Sequence, residues 1–192
     1  MLVVNLLGEP GVGKSVTAAG LFYELSINGF KAEIIQEVAK GYAWETPKDK
    51  DGNSFEHPIF SQQIFILGEQ NRLLERVNGK RDIAIMECPL ILGAIYQPSN
   101  YFKSFENLVL EQFNAYNNFN ILLERNHEYD HMGRMQNEIQ SLEVRNKLKD
   151  FLEKHNIPYI KMKTHEKINQ EILIKIRDQF FPNQDLKTIV RN

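Results

Sequence analysis

The octapeptide Gly8–Ser15 has the residue types and the spacing of a phosphate-binding loop. Glycines adopt backbone conformations closed to other residues, so successive N–H groups can turn inward around a phosphate. Lys14 would bring a point charge to the β- and γ-phosphates, and Ser15 would offer its hydroxyl to Mg²⁺. The helix that follows would add its positive N-terminal end. The pattern predicts that a nucleoside triphosphate, with ATP as the default, binds to Gly8, Glu9, Pro10, Gly11, Val12, Gly13, Lys14, Ser15 and Val16.

Two acidic residues, Glu37 and Glu87, directly follow short apolar runs that read as buried strands. In an open α/β sheet, ligands bind beyond the carboxyl ends of the strands. Phosphoryl transfer needs one carboxylate to orient or deprotonate the acceptor hydroxyl and another to hold Mg²⁺, often through water. We assign Glu87 to the metal, together with Ser15, because it ends a third strand in the Walker B position. Glu37 is then the acceptor carboxylate. The reverse assignment, with Glu37 at the metal and Glu87 at the acceptor, stays open. A further alternative is that each acid only caps the helix that follows it.

Two arginines, Arg125 and Arg134, flank a polar, glycine-containing segment after the fourth predicted strand. Arginines that close over a triphosphate stabilise developing charge and exclude water, and their planar fork can bind two phosphate oxygens at once. The segment therefore predicts a lid over about residues 125–135, with Lys14, Glu37, Arg125 and Arg134 as the catalytic set. The alternative is a solvated helix start with surface arginines.

Other residues with metal-binding or nucleophilic side chains are weaker candidates. His127 and His131, with Glu128 and Asp130, resemble a metal site, but no cysteine and no second cluster accompany them, so exposed loop histidines are the favoured interpretation. Cys88 is predicted to be a small buried residue, because no histidine or asparagine partner can be assigned to it.

The elements that must position these residues alternate between strands and helices. This order predicts an α/β P-loop NTPase fold, in which a five-stranded, mostly parallel sheet carries helices on both faces. We expect a single domain over residues 1–183, a mobile functional loop over about 41–57 and a loose tail over 184–192. The predicted strands are 3–7, 31–36, 83–86, 119–123 and 159–162, and the predicted helices are 15–28, 59–77, 105–116, 135–154 and 167–180.

Composition narrows the function classes. The 192 residues are 42% hydrophobic and 25% charged, as in a soluble globular protein, and the net charge of −2 gives no broad attraction to nucleic acid or to an anionic membrane. One cysteine excludes an internal disulfide and fits a reducing compartment. The start of the chain lacks a basic leader, and no apolar run approaches the roughly 18 residues that span a bilayer. We therefore expect a cytoplasmic protein without membrane contact.

Taken in order, these motifs resemble the small single-domain P-loop kinases related to the nicotinamide riboside kinase domain of NAD-biosynthesis regulators. The chain looks especially like the AAA-type proteins of that group encoded by tailed bacteriophages, which would act in the host cytoplasm. The resemblance spans about residues 1–165 and implies that Glu37 lies beside the acceptor and that Arg125 and Arg134 belong to the lid. Lys40 stands where the family pattern has arginine, and Glu87 where it has aspartate. The matching residues are Gly8–Ser15, Glu37-Val38-Ala39-Lys40, Gln62, Gln70, Glu87-Cys88-Pro89-Leu90, Tyr96, Arg125, Tyr129, Gly133-Arg134, Gln136 and Glu138.

The sequence thus predicts an ATP- and Mg²⁺-dependent kinase acting on a hydroxyl of a nucleoside, a nucleotide or a modified base. One alternative is a phage kinase that acts on hydroxymethylated bases within DNA. The net charge weighs against that alternative, although five lysines could form a C-terminal patch. Another is an ATPase switch or a nucleotide-binding module with a protein partner. The acceptor and the oligomeric state, a homodimer included, stay open. The five lysines are Lys147, Lys149, Lys154, Lys161 and Lys163.

Overall fold

A five-stranded sheet organises the chain. The computed structural model describes residues 1–45, 58–126 and 138–186. The strands are Leu2–Leu7 (β1), Ala32–Ile35 (β2), Ile83–Met86 (β3), Asn117–Glu124 (β4) and Ile160–Lys163 (β5). The helices are Lys14–Ile27 (α1), Val38–Glu45 (α2), Gln63–Glu75 (α3), Leu92–Tyr96 (α4), Phe105–Asn114 (α5), Glu138–Lys154 (α6) and Ile168–Phe180 (α7).

The strands lie in the order β2-β3-β1-β4-β5, and every pair of neighbours is parallel. The predicted α/β fold with a parallel five-stranded sheet is therefore confirmed. β1 occupies the centre, where Val4 lies beside Ile85 of β3 and beside Phe119 of β4. All six residues of β1 are buried, as a strand covered on both faces requires.

Two apolar layers cover the sheet, one on each face. Successive residues of a strand point to opposite sides, so Leu6 lies in the layer formed with α1 and α7, whereas Leu7 lies in the layer formed with α3, α4, α5 and α6. Ile172 of α7 belongs to the first layer and Leu148 of α6 to the second. In the part of the chain that the structure describes, no helix is long and apolar enough to cross a membrane.

The structure differs from the prediction between β2 and α3. The prediction of a loop over 41–57 is wrong for residues 41–45, because α2 continues to Glu45. Residues 46–57 lie outside the described ranges. The helix predicted from residue 59 starts at Gln63, after a separate 3₁₀ turn over Pro58–Ser61. Neither α2 nor α4 was predicted, since helices of eight and five residues are too short to show an apolar period. The division into a domain and a tail from residue 184 stays a prediction, and residues 187–192 lie outside the described part.

Gln70 on α3 fixes the start of α2. The backbone N–H of Val38 donates to Oε1 of Gln70 at 3.1 Å, and Nε2 of Gln70 donates to the carbonyl oxygen of Gln36 at 3.0 Å. Gln70 is 2% exposed, so water cannot replace either bond. One buried side chain thus holds the backbone on both sides of Glu37.

We expect Gln70→Ala to lower the free energy of unfolding by about 2–4 kcal/mol, because it leaves two buried backbone groups without partners. Urea denaturation measures this change. Gln179→Ala, at an exposed position on α7, is the matched control and should stay within about 0.5 kcal/mol of the unsubstituted protein. A loss below about 1 kcal/mol at Gln70 would show that the start of α2 is held by other contacts.

Candidate active site

The segment between β1 and α1 has the geometry of a phosphate loop. Gly8, Gly11 and Gly13 have φ angles of 147°, 87° and 98°, which side-chain-bearing residues rarely adopt. A Cβ atom on Gly8 would lie 2.8 Å from Cγ1 of Val12 and 3.2 Å from the carbonyl oxygen of Leu123. Glycine is therefore required at position 8 both by conformation and by the close approach of β4.

Lys14, the first residue of α1, folds back over this loop. Its Nζ donates to the carbonyl oxygens of Gly8 at 3.0 Å and of Glu9 at 3.1 Å. The ammonium group therefore lies against the turn that the sequence assigns to the phosphates. A phosphate there would meet a cation and the N-terminal end of α1 together.

The next residue, Ser15, meets a carboxylate from the neighbouring strand. Its hydroxyl donates to Oε2 of Glu87 at 3.4 Å, and Nζ of Lys40 donates to the same hydroxyl at 3.1 Å. Glu87 directly follows β3, which pairs with β1, so the sheet brings the two predicted metal residues together. Lys40 adds a cation that the sequence argument did not place.

A hydroxyl and a carboxylate are suitable ligands for Mg²⁺, a hard cation that prefers oxygen. Mg²⁺ at nucleotide sites commonly takes one or two protein ligands and completes its shell with phosphates and water. Ser15 and Glu87 fit that requirement. Within residues 1–45, 58–126 and 138–186, no group of three or more His, Cys, Asp or Glu side chains could hold a metal by itself.

Glu37 lies beside this group, between β2 and α2. Burial raises the pKa of its carboxyl, Lys14 and Lys40 act in the opposite direction, and Glu87 raises the pKa further, so the net shift is upward. Lys14, Lys40 and Glu87 therefore all affect the pKa of Glu37, which agrees with its expected place at the carboxyl end of a strand. A carboxylate with a raised pKa is better suited to accept a proton near neutral pH.

Cys88, the next residue after Glu87, is half-buried and packs against the core. Burial, helped by the carboxylate of Glu37, raises the pKa of its thiol far above the ordinary range. Because the thiolate is the reactive form, this cysteine is unsuited to act as a nucleophile.

On the other side of β1, Arg125 follows β4. Its side chain is only 11% exposed, and Nη2 donates to Oε1 of Glu138 at 3.1 Å. Residues 127–135, which hold the rest of the predicted lid after Asn126 and include Arg134, His127 and His131, lie outside the described ranges. Their assignments stay predictions.

The carboxylate of Glu9, which the sequence placed in the nucleotide site, points away from solvent. Glu9 is 0% exposed, and neither carboxylate oxygen has a hydrogen-bond partner. Its predicted contribution to nucleotide binding would therefore come from its backbone. Nearby, the hydroxyl of Ser141 on α6 donates to the carbonyl oxygen of Pro10 at 2.9 Å, so α6 is attached to the phosphate loop.

Two contributors were missed by the sequence argument. Gln70 is one of the residues that carry the family resemblance, and a glutamine at the helical spacing of the apolar positions Leu67 and Leu74 is the signal that could have found its role. Lys40 follows Glu37 by three residues, so a helix starting at Val38 would put the two side chains near the same ligand. That helix was not predicted, and the contact with Ser15 was missed with it.

The chain was compared with protein families, with curated sequences and with solved structures. Residues 3–167 match the family described as AAA domain. No curated protein sequence matches the chain significantly.

Among solved structures, NadR protein in complex with NR has a TM-score of 0.72 at 15% sequence identity, over 98% of this chain and 54% of that one. The chain thus spans about half the length of NadR. A deoxyadenosine kinase from M. mycoides, with dCMP and a flexible dCDP bound, has a TM-score of 0.57 at 15% identity, over 94% of this chain and 100% of that one. Thymidylate kinase from Candida albicans has a TM-score of 0.58 at 12% identity, over 97% and 94% of the two chains. The chain shares the fold of these three proteins, two of which are named as kinases, and this confirms the relation to such kinases noted from the sequence.

Proposed function

The chain belongs to the AAA domain family, and from this premise and the geometry of its site we propose that it is an ATP- and Mg²⁺-dependent kinase. Its acceptor is a hydroxyl group of a nucleoside, a nucleotide or a modified base. The contact between Ser15 of the phosphate loop and Glu87, with the carboxyl of Glu37 alongside, carries the proposal. The similar fold of a deoxyadenosine kinase and a thymidylate kinase supports this acceptor class.

In the proposed reaction, Lys14 and the loop N–H groups bind the β- and γ-phosphates, while Ser15 and Glu87 hold Mg²⁺ directly or through water. Bound Mg²⁺ would neutralise part of the negative charge of the phosphates. Glu37 orients the acceptor hydroxyl and takes its proton as the oxygen attacks the γ-phosphorus, while the bond from that phosphorus to the bridging oxygen breaks and ADP leaves. Arg125 and Arg134 stabilise the negative charge on the transferred group.

The acceptor can be found by incubating the chain with γ-labelled ATP, Mg²⁺ and a panel of acceptors. The panel holds nucleosides, nucleoside monophosphates and duplex DNA with hydroxymethylated bases. We expect one small acceptor to become labelled and to accelerate ATP turnover. Lys14→Ala should abolish transfer with the fold intact, since its ammonium group contacts the loop and not the apolar layers, and Lys175→Ala on α7 should be unaffected.

Label in inorganic phosphate alone, with no stimulation by any acceptor, would contradict the kinase and favour an ATPase switch. Label retained on duplex DNA would select the DNA kinase. Of the five C-terminal lysines, Lys154 forms an ion pair with Glu106, so part of the positive charge that this group would offer to DNA is compensated.

Substitution of Glu37 and substitution of Glu87 should change different kinetic parameters. Glu37→Gln keeps the size but removes the base, so kcat should fall with little change in ATP affinity. Glu87→Gln should instead raise the Mg²⁺ concentration needed for half-maximal activity, because it weakens a metal contact. Steady-state kinetics over a Mg²⁺ series separate these effects, and identical behaviour of the variants would contradict the division of roles.

The pH dependence tests Glu37 further. Glu37 must be ionised to accept a proton, and its raised pKa delays ionisation, so kcat/KM should rise with pH around a midpoint above the ordinary value of 4.5. The variant Glu37→Gln should lose this acidic limb. A limb that persists in the variant would assign the titration to another group.

The two arginines should act on the rate more than on ATP affinity. Removing an arginine that faces the transferred phosphoryl group costs about 10³-fold or more in kcat, whereas a surface arginine is worth less than about 0.5 kcal/mol. Arg125→Ala and Arg134→Ala are measured beside Glu138→Ala, which breaks only the ion pair of Arg125. If Arg125→Ala and Glu138→Ala lose the same small amount, Arg125 is a structural partner of α6.

A further inference from the structure

The ammonium group of Lys40 contacts the hydroxyl of Ser15, one of the two proposed metal ligands. Nζ is 3.1 Å from Oγ of Ser15, which is itself 3.4 Å from Oε2 of Glu87. The same lysine is close enough to Glu37 to act on the pKa of its carboxyl. Lys40 therefore donates a hydrogen bond to the oxygen that the proposed function gives to Mg²⁺.

The ammonium group of Lys40 and Mg²⁺ cannot both bind the oxygen of Ser15 without a cost in electrostatic free energy. The two cations would share the oxygen of Ser15 at a separation of a few ångströms, where like charges repel each other. The formal charges of Glu37, Glu87, Lys14 and Lys40 already sum to zero when Glu37 is ionised. A divalent cation that arrives alone thus finds carboxylates whose charge is compensated.

A nucleotide changes this balance. Its phosphates bring several negative charges next to Ser15, and these oxygens are better acceptors for an ammonium group than a neutral hydroxyl. Lys40 is exposed on α2, and the start of that helix is held by Gln70. Its flexible four-carbon stem can therefore move while the backbone stays in place.

We propose that Lys40 occupies the oxygen of Ser15 in the absence of ligand, and that it gives up this oxygen to Mg²⁺ by moving to the nucleotide phosphates. This inference rests on the proposed Mg²⁺-nucleotide function and adds a positioning residue to it. Lys40 makes metal binding depend on the nucleotide. The carboxylates do not take up a divalent cation alone, and the metal arrives with its phosphates.

The test measures binding and not turnover, with Mn²⁺ as a paramagnetic substitute for Mg²⁺. Free Mn²⁺ is followed by electron paramagnetic resonance as the metal is titrated into nucleotide-free protein, and ATP binding is measured separately in EDTA. Lys40→Met should bind Mn²⁺ about tenfold more tightly, because a nearby positive charge is gone, and metal-free ATP about tenfold more weakly. Lys40→Gln should behave like Lys40→Met, since the charge and not the hydrogen bond is responsible.

Two controls define the outcome. Lys40→Arg keeps the charge and should keep the weak Mn²⁺ affinity, and Lys175→Met, an exposed lysine on α7, should change neither affinity. Tighter Mn²⁺ binding together with weaker ATP binding in both neutral variants supports the proposal, and any other combination overturns it. Wild-type protein that binds no Mg²⁺-ATP refutes the proposed function instead, and that measurement precedes the substitutions.

Discussion

The parallel hydrogen-bonded ladders of β1 with β3 and with β4 set the position of the phosphate loop, Glu87 and Arg125 in the candidate site. Asn5 lies beside Met86 and Leu7 beside Leu122, so the three strands end at one edge of the sheet. Because β1 is buried on both faces, a shift of register would expose apolar side chains and cost far more than any single contact in the site. The phosphate loop, the Glu87 segment and the Arg125 segment therefore meet as a consequence of backbone pairing.

Charge balance is the second constraint on the site. Burial and the charge of Glu87 raise the pKa of Glu37, and Lys14 and Lys40 oppose that effect. Without the two lysines, Glu37 would tend more strongly to be neutral, and a neutral acid could not accept a proton. The same lysines carry the charges that suit phosphate oxygens. The arrangement therefore suits a ligand that combines phosphate anions with a divalent cation.

The sequence was sufficient for the sheet and for the strand-end carboxylates, because an apolar run followed by a turn specifies both the strand and the edge at which Glu37 and Glu87 emerge. It was not sufficient for α2, whose eight residues depend on a side chain 32 positions away, Gln70, and not on their own periodicity. The contact of Lys40 with Ser15 was missed for the same reason. The start of β4 at Asn117, two residues before the predicted one, was hidden because asparagines that bond to one another do not form an apolar pattern.

The two sides of the phosphate loop are supported differently, and this difference bears on how the site can respond to a ligand. On the β3 side, Gln70 holds the backbone at the start of α2, so the side chain of Lys40 is the part free to move. On the β4 side, α6 bonds both to the loop, through Ser141 and the carbonyl of Pro10, and to Arg125, through Glu138. A displacement of the loop by bound phosphate would therefore act on α6 and on the arginine together. The expected response to a ligand is therefore rearrangement of a side chain on the β3 side and displacement of a helix on the β4 side.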